Sequence, residues 1–227
     1  MNTVQQKYKY AVIATDVIIF TVRKRKLYVL LMKMQKKPFF GMYALPGGLI
    51  NSDESIDDAA ARILLEKTGM ENVYLEQLKT FGQVDRDPFG RVVSVAYFAL
   101  VPAYRFIKLK ADVNYENVGW FPVDAVPTLA YDHTEMLATA VEQLKKRLGY
   151  SNIAYNLLPP AFTLTELQSL YELILGEALD KRNFRKKILS LDVLKPTGKE
   201  QRGNANRPAA LYRFSKRKPH MVRIFDH

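Results

Sequence analysis

Cysteine is absent from the 227 residues, so no disulfide, thiolate metal site or thiol nucleophile can form, which fits a reducing compartment. No apolar run approaches the roughly 18 residues of a membrane span, and the first residues hold no apolar segment behind a basic start. Neither a span nor a secretory leader is expected, and a cytoplasmic location follows. Internal repeats and low-complexity tracts are lacking too. What the chain has is 48% hydrophobic residues, enough to build the cores of two modest domains.

It also has a net charge of +11, unevenly spread. Residues 1–150 carry 20 Lys+Arg against 16 Asp+Glu, whereas residues 151–227 carry 14 against 7. A basic excess concentrated at one end suits attraction to a polyanion such as nucleic acid, although a solvated basic surface would read the same way.

The residue pattern divides at the same place. Apolar stretches at 10–20 and 27–32 flank Arg23, Lys24, Arg25 and Lys26 and predict a hairpin. Pro46, Gly47 and Gly48 break the chain, and Ser55 with Asp58 has capping-box spacing, predicting a helix over 56–67. Strand-like runs at 91–101 and 118–123 precede a helix over 133–148 with Leu137, Val141, Leu144 and Leu148 on one face. Residues 1–150 thus read as one α+β domain. Beyond Leu158, Pro159 and Pro160, Thr163 caps a helix ended by Gly176, and a second helix starts near Asp180. Turn chemistry at Lys195, Pro196, Thr197 and Gly198, followed by a strand-like 209–214, predicts a β-hairpin.

Gly48 is followed at fixed intervals by Glu54, Arg62, Leu64, Glu66, Gly69 and Met70. With Gly41, Tyr43, Ala44, Leu45, Pro46 and Gly47 before them and Trp120, Phe121 and Pro122 after, these residues resemble the Nudix family over residues 8–149. The resemblance implies an α/β/α sandwich around a mixed sheet. In the family's hydrolases, glutamates on one face of the motif helix hold Mg²⁺ beside a diphosphate, and the corresponding positions here are Ile63, Glu66 and Lys67. One carboxylate of three survives, and Lys67 reverses the local charge. No metal, no cofactor and no catalytic residue are therefore expected from the degenerate box of Gly48, Glu54, Arg62, Ile63, Glu66 and Lys67.

Such damage fits either a helix kept for packing, with Arg62 and Glu66 as an ordinary pair, or a binding site kept without catalysis. The second reading gains from Asp85, Arg86, Asp87, Pro88, Gly90 and Arg91, which resemble a segment of the family's ADP-ribose branch and place arginines where they could clamp phosphate or sugar hydroxyls. Arg86, Asp87, Arg91, Phe40 and Glu66 are the candidate effector-binding residues. Phe39, Phe40 and Tyr43 suit stacking on a ring or a place in the core. His133 after Asp132 reads as a helix-start residue satisfied by a neighbour, not as a catalytic base.

In the second C-terminal helix, Ile188 and Leu191 fall within about 40° of Phe184, and Arg182 and Lys186 lie near the opposite pole. Lys181, Arg182, Asn183, Arg185 and Lys186 suit a major groove, and Lys199, Arg202 and Arg207 in the hairpin suit the backbone or minor groove. Phe162, Thr163, Leu164, Glu166, Leu167 and Gln168, with Lys181 to Arg185, resemble the winged helix-turn-helix domain of Nudix-related transcriptional regulators of the NrtR type. That resemblance implies a homodimeric regulator, a repressor, binding a double-stranded operator under control of ADP-ribose or a sugar, with no membrane partner. The rival readings are a working hydrolase of ADP-ribose or a related diphosphate, with Mg²⁺ on Glu54, Glu66 and a further carboxylate, and an RNA-binding or scaffold protein.

Overall fold

The computed structural model describes residues 10–105, 118–201 and 208–225. Strand β1 (Val12–Arg23) turns into β2 (Lys26–Lys33) through Lys24 and Arg25, both in the left-handed region at φ 47° and 58°. Two residues of positive φ make the turn whose twist matches paired strands, here without the Asn or Gly it favours. Strands β3 (Tyr43–Ala44) and β4 (Gly47–Leu49) lead to helix α1 (Ile56–Thr68), then come β5 (Tyr74–Phe81), β6 (Val92–Leu100), β7 (Val118–Pro122) and helix α2 (His133–Tyr150). The central order is β3-β2-β1-β6-β5, with β4 paired to β1 and β7 to β2. β1 and β6 run parallel and the other pairs antiparallel, so the sheet is mixed.

Because successive strand residues face opposite sides, the buried run Val17 to Phe20 feeds two cores. Val17 and Ile19 meet Ala60, Ile63 and Leu64 of α1. Ile18 and Phe20 meet Met136, Ala140 and Leu144 of α2. The result is an α/β/α sandwich.

After Tyr150 come β8 (Phe162–Thr163), α3 (Leu164–Leu175), α4 (Lys181–Ser190), β9 (Leu194–Gln201) and β10 (Ala209–Phe214), with sheet order β8-β10-β9. This is a winged helix-turn-helix. Its core of Phe162, Leu167, Tyr171, Phe184, Ile188 and Phe214 is continuous with Leu144 and Leu148 of α2. The terminal segment ties the two parts together. Val222 N–H donates to Tyr150 O at 2.9 Å, and Ile224 and Phe225 donate to Gly149 O at 2.7 and 3.1 Å. No helix among the described residues is long and apolar enough to cross a membrane.

Three local expectations need correction. Pro46-Gly47-Gly48 does not simply break the chain, because Gly47–Leu49 pairs with Ala14, Thr15 and Asp16 of β1. Lys195 to Gly198 is not a turn but part of β9, where Gly198 at φ 74° sits in a bulge between the Glu200 and Pro196 pairings. Pro196 is tolerated because β9 is an edge strand. At α1, Ser55 Oγ accepts from Asp58 N–H at 3.1 Å, but the Asp58 carboxylate returns to the Ser55 hydroxyl at 2.7 Å, so only half of a capping box forms. The full box is at α3, where Thr163 and Glu166 cap each other's backbone N–H groups.

Candidate functional site

The start of α2 closes onto β1 around a buried carboxylate. Asp16 shares the α2 side of the sheet with Ile18 and Phe20, and Ser94 of β6 donates its hydroxyl to Asp16 Oδ2 at 2.6 Å. Gly47 passes so near that a Cβ there would stand 1.9 Å from Oδ1. His133 presents Nε2 at 3.6 Å from Asp16 Oδ1, while its Nδ1 accepts Leu45 N–H at 2.9 Å. A ring nitrogen that accepts carries no proton, so the neutral imidazole holds its proton on Nε2, toward Asp16. Burial pushes His133 below its ordinary pKa, outweighing the opposite pull of Asp16 and Asp132.

Arg86 enters from the loop before β6. Its Nε and Nη2 donate to Asp132 Oδ2 and Oδ1 at 2.8 and 2.7 Å, and Nη2 stands 3.7 Å from Asp16 Oδ2. Burial opposes its charge, and the carboxylates of Asp132, Asp16 and Asp87, Asp132 foremost, together more than compensate and raise its pKa. Tyr131 adopts φ 54°, uncommon for a side chain of its size, and sets its ring 4.3 Å from Phe39 and 5.2 Å from His133. Two hollows meet here. One, of about 220 Å³, is lined by Asp16, Leu45, Gly48, Asp87 and His133; the other, of about 530 Å³, by Pro38, Phe39, Gln83 and Asp132. Arg86 and Tyr131 line both.

The box residues serve the loop and the core. Glu54 accepts Nε and Nη2 of Arg62 at 2.9 and 2.6 Å and Asn51 N–H at 2.8 Å, and the Arg62 bonds hold its pKa down at about 2. Arg62 also reaches Leu49 O and Glu66 Oε1. Ile63, 1% exposed, packs between α1 and the sheet and lies 3.8 Å from where a Gly48 Cβ would stand. The Mg²⁺ that the family implies does not fit these residues. One box position is a core aliphatic, one is Lys67, Glu54 is occupied by Arg62, and among the described residues no group of three His, Cys, Asp or Glu could hold a metal.

Of the residues expected to bind an effector, Arg86 and Asp87 line the cavity. Arg86 is not freely presented, however: its side chain is 3% exposed and its fork is filled by Asp132. Asp87 accepts Phe89 N–H at 2.8 Å. Arg91 turns to the carbonyls of Gln83 and Val92. Phe40 is 67% exposed and Phe39 takes the ring contact instead, while Glu66 is 45% exposed on α1 against Arg62. None of Arg91, Phe40 and Glu66 lines either hollow. Asp16, Ser94, Tyr131 and Asp132 join the site without having been marked by the sequence pattern. An aspartate inside the apolar run of β1 was the available signal.

In the second domain, Glu172 Oε1 accepts Gln168 Nε2 at 2.8 Å and Leu179 N–H at 3.1 Å, locking the turn between α3 and α4. Asp180 caps α4 by accepting Asn183 N–H. Phe184 and Ile188 face the core, leaving Lys181, Arg182, Asn183 and Lys186 exposed. Arg185 differs from its neighbours, being half-buried with Nη2 donating to Thr165 Oγ1 at 3.1 Å. Lys199 is exposed on β9, and Arg202 and Arg207 lie outside the described residues. A bare basic face on the second helix of such a pair has the shape and charge to enter a major groove.

Comparison with known proteins agrees with both halves. Residues 12–140 match the NUDIX domain family, and residues 154–214 match the NrtR DNA-binding winged helix domain. The chain is 36% identical over 213 residues to the ADPR responsive transcriptional repressor NtrR of Acinetobacter baylyi, covering 92% of this chain and 84% of that protein. Shewanella oneidensis NrtR complexed with a 27mer DNA superposes with a TM-score of 0.80 at 35% identity, covering 89% of this chain and 93% of that one. The NUDIX domain of the Shewanella oneidensis protein complexed with ADP ribose matches with a TM-score of 0.53 at 35% identity, over 63% of this chain and 94% of that one.

Proposed function

This chain belongs to the NUDIX domain family, in the group carrying an NrtR DNA-binding winged helix, and we propose that it is a transcriptional repressor released from its operator by ADP-ribose. The observation that carries the proposal is the exposed face of Lys181, Arg182, Asn183 and Lys186 on α4, joined through one apolar core to a sandwich in which Ile63 and Lys67 replace two of the three metal-binding carboxylates. The boundary falls near residue 150, where α2 ends. The sandwich senses and the winged helix binds.

Two copies related by a two-fold axis would place their α4 helices in successive major grooves, about 34 Å apart. The effector acts only through unequal affinity for the DNA-bound and free conformations. In this reading the protein does not hydrolyse its ligand, because Ile63 and Lys67 stand at two of the three positions that carry the family's Mg²⁺-binding glutamates. Titrating ADP-ribose into a complex with an operator duplex, with AMP release followed in Mg²⁺, tests both parts. Dissociation without AMP is expected. Multiple turnover to AMP at rates near the usual enzyme range of roughly 1 per second or faster would establish a hydrolase instead.

A further inference from the structure

Among the described residues, the Arg86 fork is the one guanidinium lining both hollows, and Asp132 already fills it with two charge-assisted bonds of 2.8 and 2.7 Å. Asp132 is also the N-cap residue of α2. Ser55, Thr163 and Asp180 each turn a side-chain oxygen to the first turn of α1, α3 and α4, but Asp132 makes no such bond. Its backbone, at φ −93° and ψ 18°, stands outside the extended conformation of those three caps, and its carboxylate is turned to Arg86 instead, so capping would require Asp132 to become extended as it leaves the fork. A carboxylate is stabilised both by a helix N-terminus and by a guanidinium, so it has two places to go.

We infer that Asp132 is a built-in competitor for the effector: only a ligand carrying an oxyanion can take the Arg86 fork from it, and the displaced carboxylate then caps α2. This rests on the proposed sensing role of the cavity and narrows the effector class to diphosphates, excluding simple sugars. A neutral hydroxyl cannot replace a bidentate carboxylate on a buried guanidinium, whereas a phosphate offers the same fork geometry with at least equal charge. An extended molecule with a diphosphate at its middle would cross at Arg86 and Tyr131 and place a ring system in each hollow. The other end of α2 is where Gly149 and Tyr150 bind the terminal segment of the winged helix, so a rearranged first turn is coupled to the DNA-binding half through one helix.

The test is calorimetric titration of the full chain with inorganic pyrophosphate, ribose and ADP-ribose, using wild type, Asp132→Asn and Arg86→Met. Pyrophosphate and ADP-ribose should bind Asp132→Asn about tenfold more tightly than wild type, the lower end of what a hydrogen bond to a charged group contributes. Ribose should gain nothing, and Arg86→Met should lose the anion affinity. A folded Asp132→Asn protein with no gain for either anion, or with an equal gain for ribose, overturns the inference. Amide hydrogen exchange on the wild-type protein covers a variant that does not fold: His133, Glu135 and Met136 N–H already donate to Ala130 O and Asp132 O, so saturating pyrophosphate should slow exchange at Thr134, and unchanged exchange there counts against the cap. Should pyrophosphate gain affinity while ADP-ribose binds no form, the competitor stands and the proposed effector fails. ADP-ribose binding to wild type without any gain in Asp132→Asn supports the effector and refutes the competitor.

Discussion

The Gly47 backbone and the Asp16 carboxylate occupy adjoining space that leaves no room for a Cβ, since one placed on Gly47 would stand 1.9 Å from Asp16 Oδ1 and 3.1 Å from Thr15 O. Asp16 cannot simply swing aside, because Ser94 holds its other oxygen at 2.6 Å inside the sheet. Gly47→Ala should therefore destabilise the chain by about 1 to 3 kcal/mol, as overpacking a buried site does. It should also disorder the wall of the smaller hollow and weaken effector binding. Urea denaturation beside calorimetry checks both, and a variant matching wild type in each would show that Asp16 has a freedom these contacts deny it.

Neutral His133 makes stability sensitive to mild acid. Its pKa is lowered in the fold by burial, whereas the unfolded chain takes up a proton near the ordinary 6.5. The contribution is thus fully present above about pH 6.5 and is lost as pH falls, at up to about 1.4 kcal/mol per pH unit from this one group. His133→Asn keeps an acceptor for Leu45 N–H but cannot titrate, so its stability should lack this component. Unfolding midpoints of the two proteins should converge as pH falls from about 7.5 to 5.5. Parallel curves would mean that His133 charges without opposition.

The core strands, both long helices of the sandwich and the helix-turn-helix were legible because their apolar spacing is regular and their caps are Ser, Thr or Asp. Strand β5 was not. Its partners shift by one residue between Gln77 and Thr80, so Tyr74 and Phe81 are both buried although they are an odd number of residues apart. A bulge erases the alternation by which a strand is recognised. At the site, the sequence marked Arg86 by its type and neighbours but held no sign that Asp132 would claim it. That pairing spans 46 residues and depends on how α2 docks against the sheet.

Restoring the missing carboxylates should not restore catalysis. Ile63 is enclosed by Val17, Ile19, Ala60 and Leu64, so Ile63→Glu removes apolar packing and buries a polar group without a partner. A loss of about 3 kcal/mol or more is expected. The pair Ile63→Glu with Lys67→Glu should release no AMP from ADP-ribose in Mg²⁺, because Arg62 continues to occupy Glu54. A stable, active double variant would identify the box as a recently disabled hydrolase site and not as a repacked one.

The basic residues of α4 should separate into two groups. Arg182 and Lys186 are exposed, so alanine at either should leave the melting temperature unchanged and weaken operator binding. A lost phosphate contact lowers the log-log salt slope by about 0.9, and a lost base contact costs about 1 to 3 kcal/mol while relaxing preference at one position. Arg185 reaches Thr165 on α3, so Arg185→Ala should lower the melting temperature and disturb DNA binding through the position of α4. Binding isotherms at several salt concentrations, each paired with a thermal melt, distinguish the groups. If Arg185→Ala melts like wild type while Arg182→Ala binds like it, the groove is met by the flank of α4 that carries Arg185, and the helix enters rotated about its own axis.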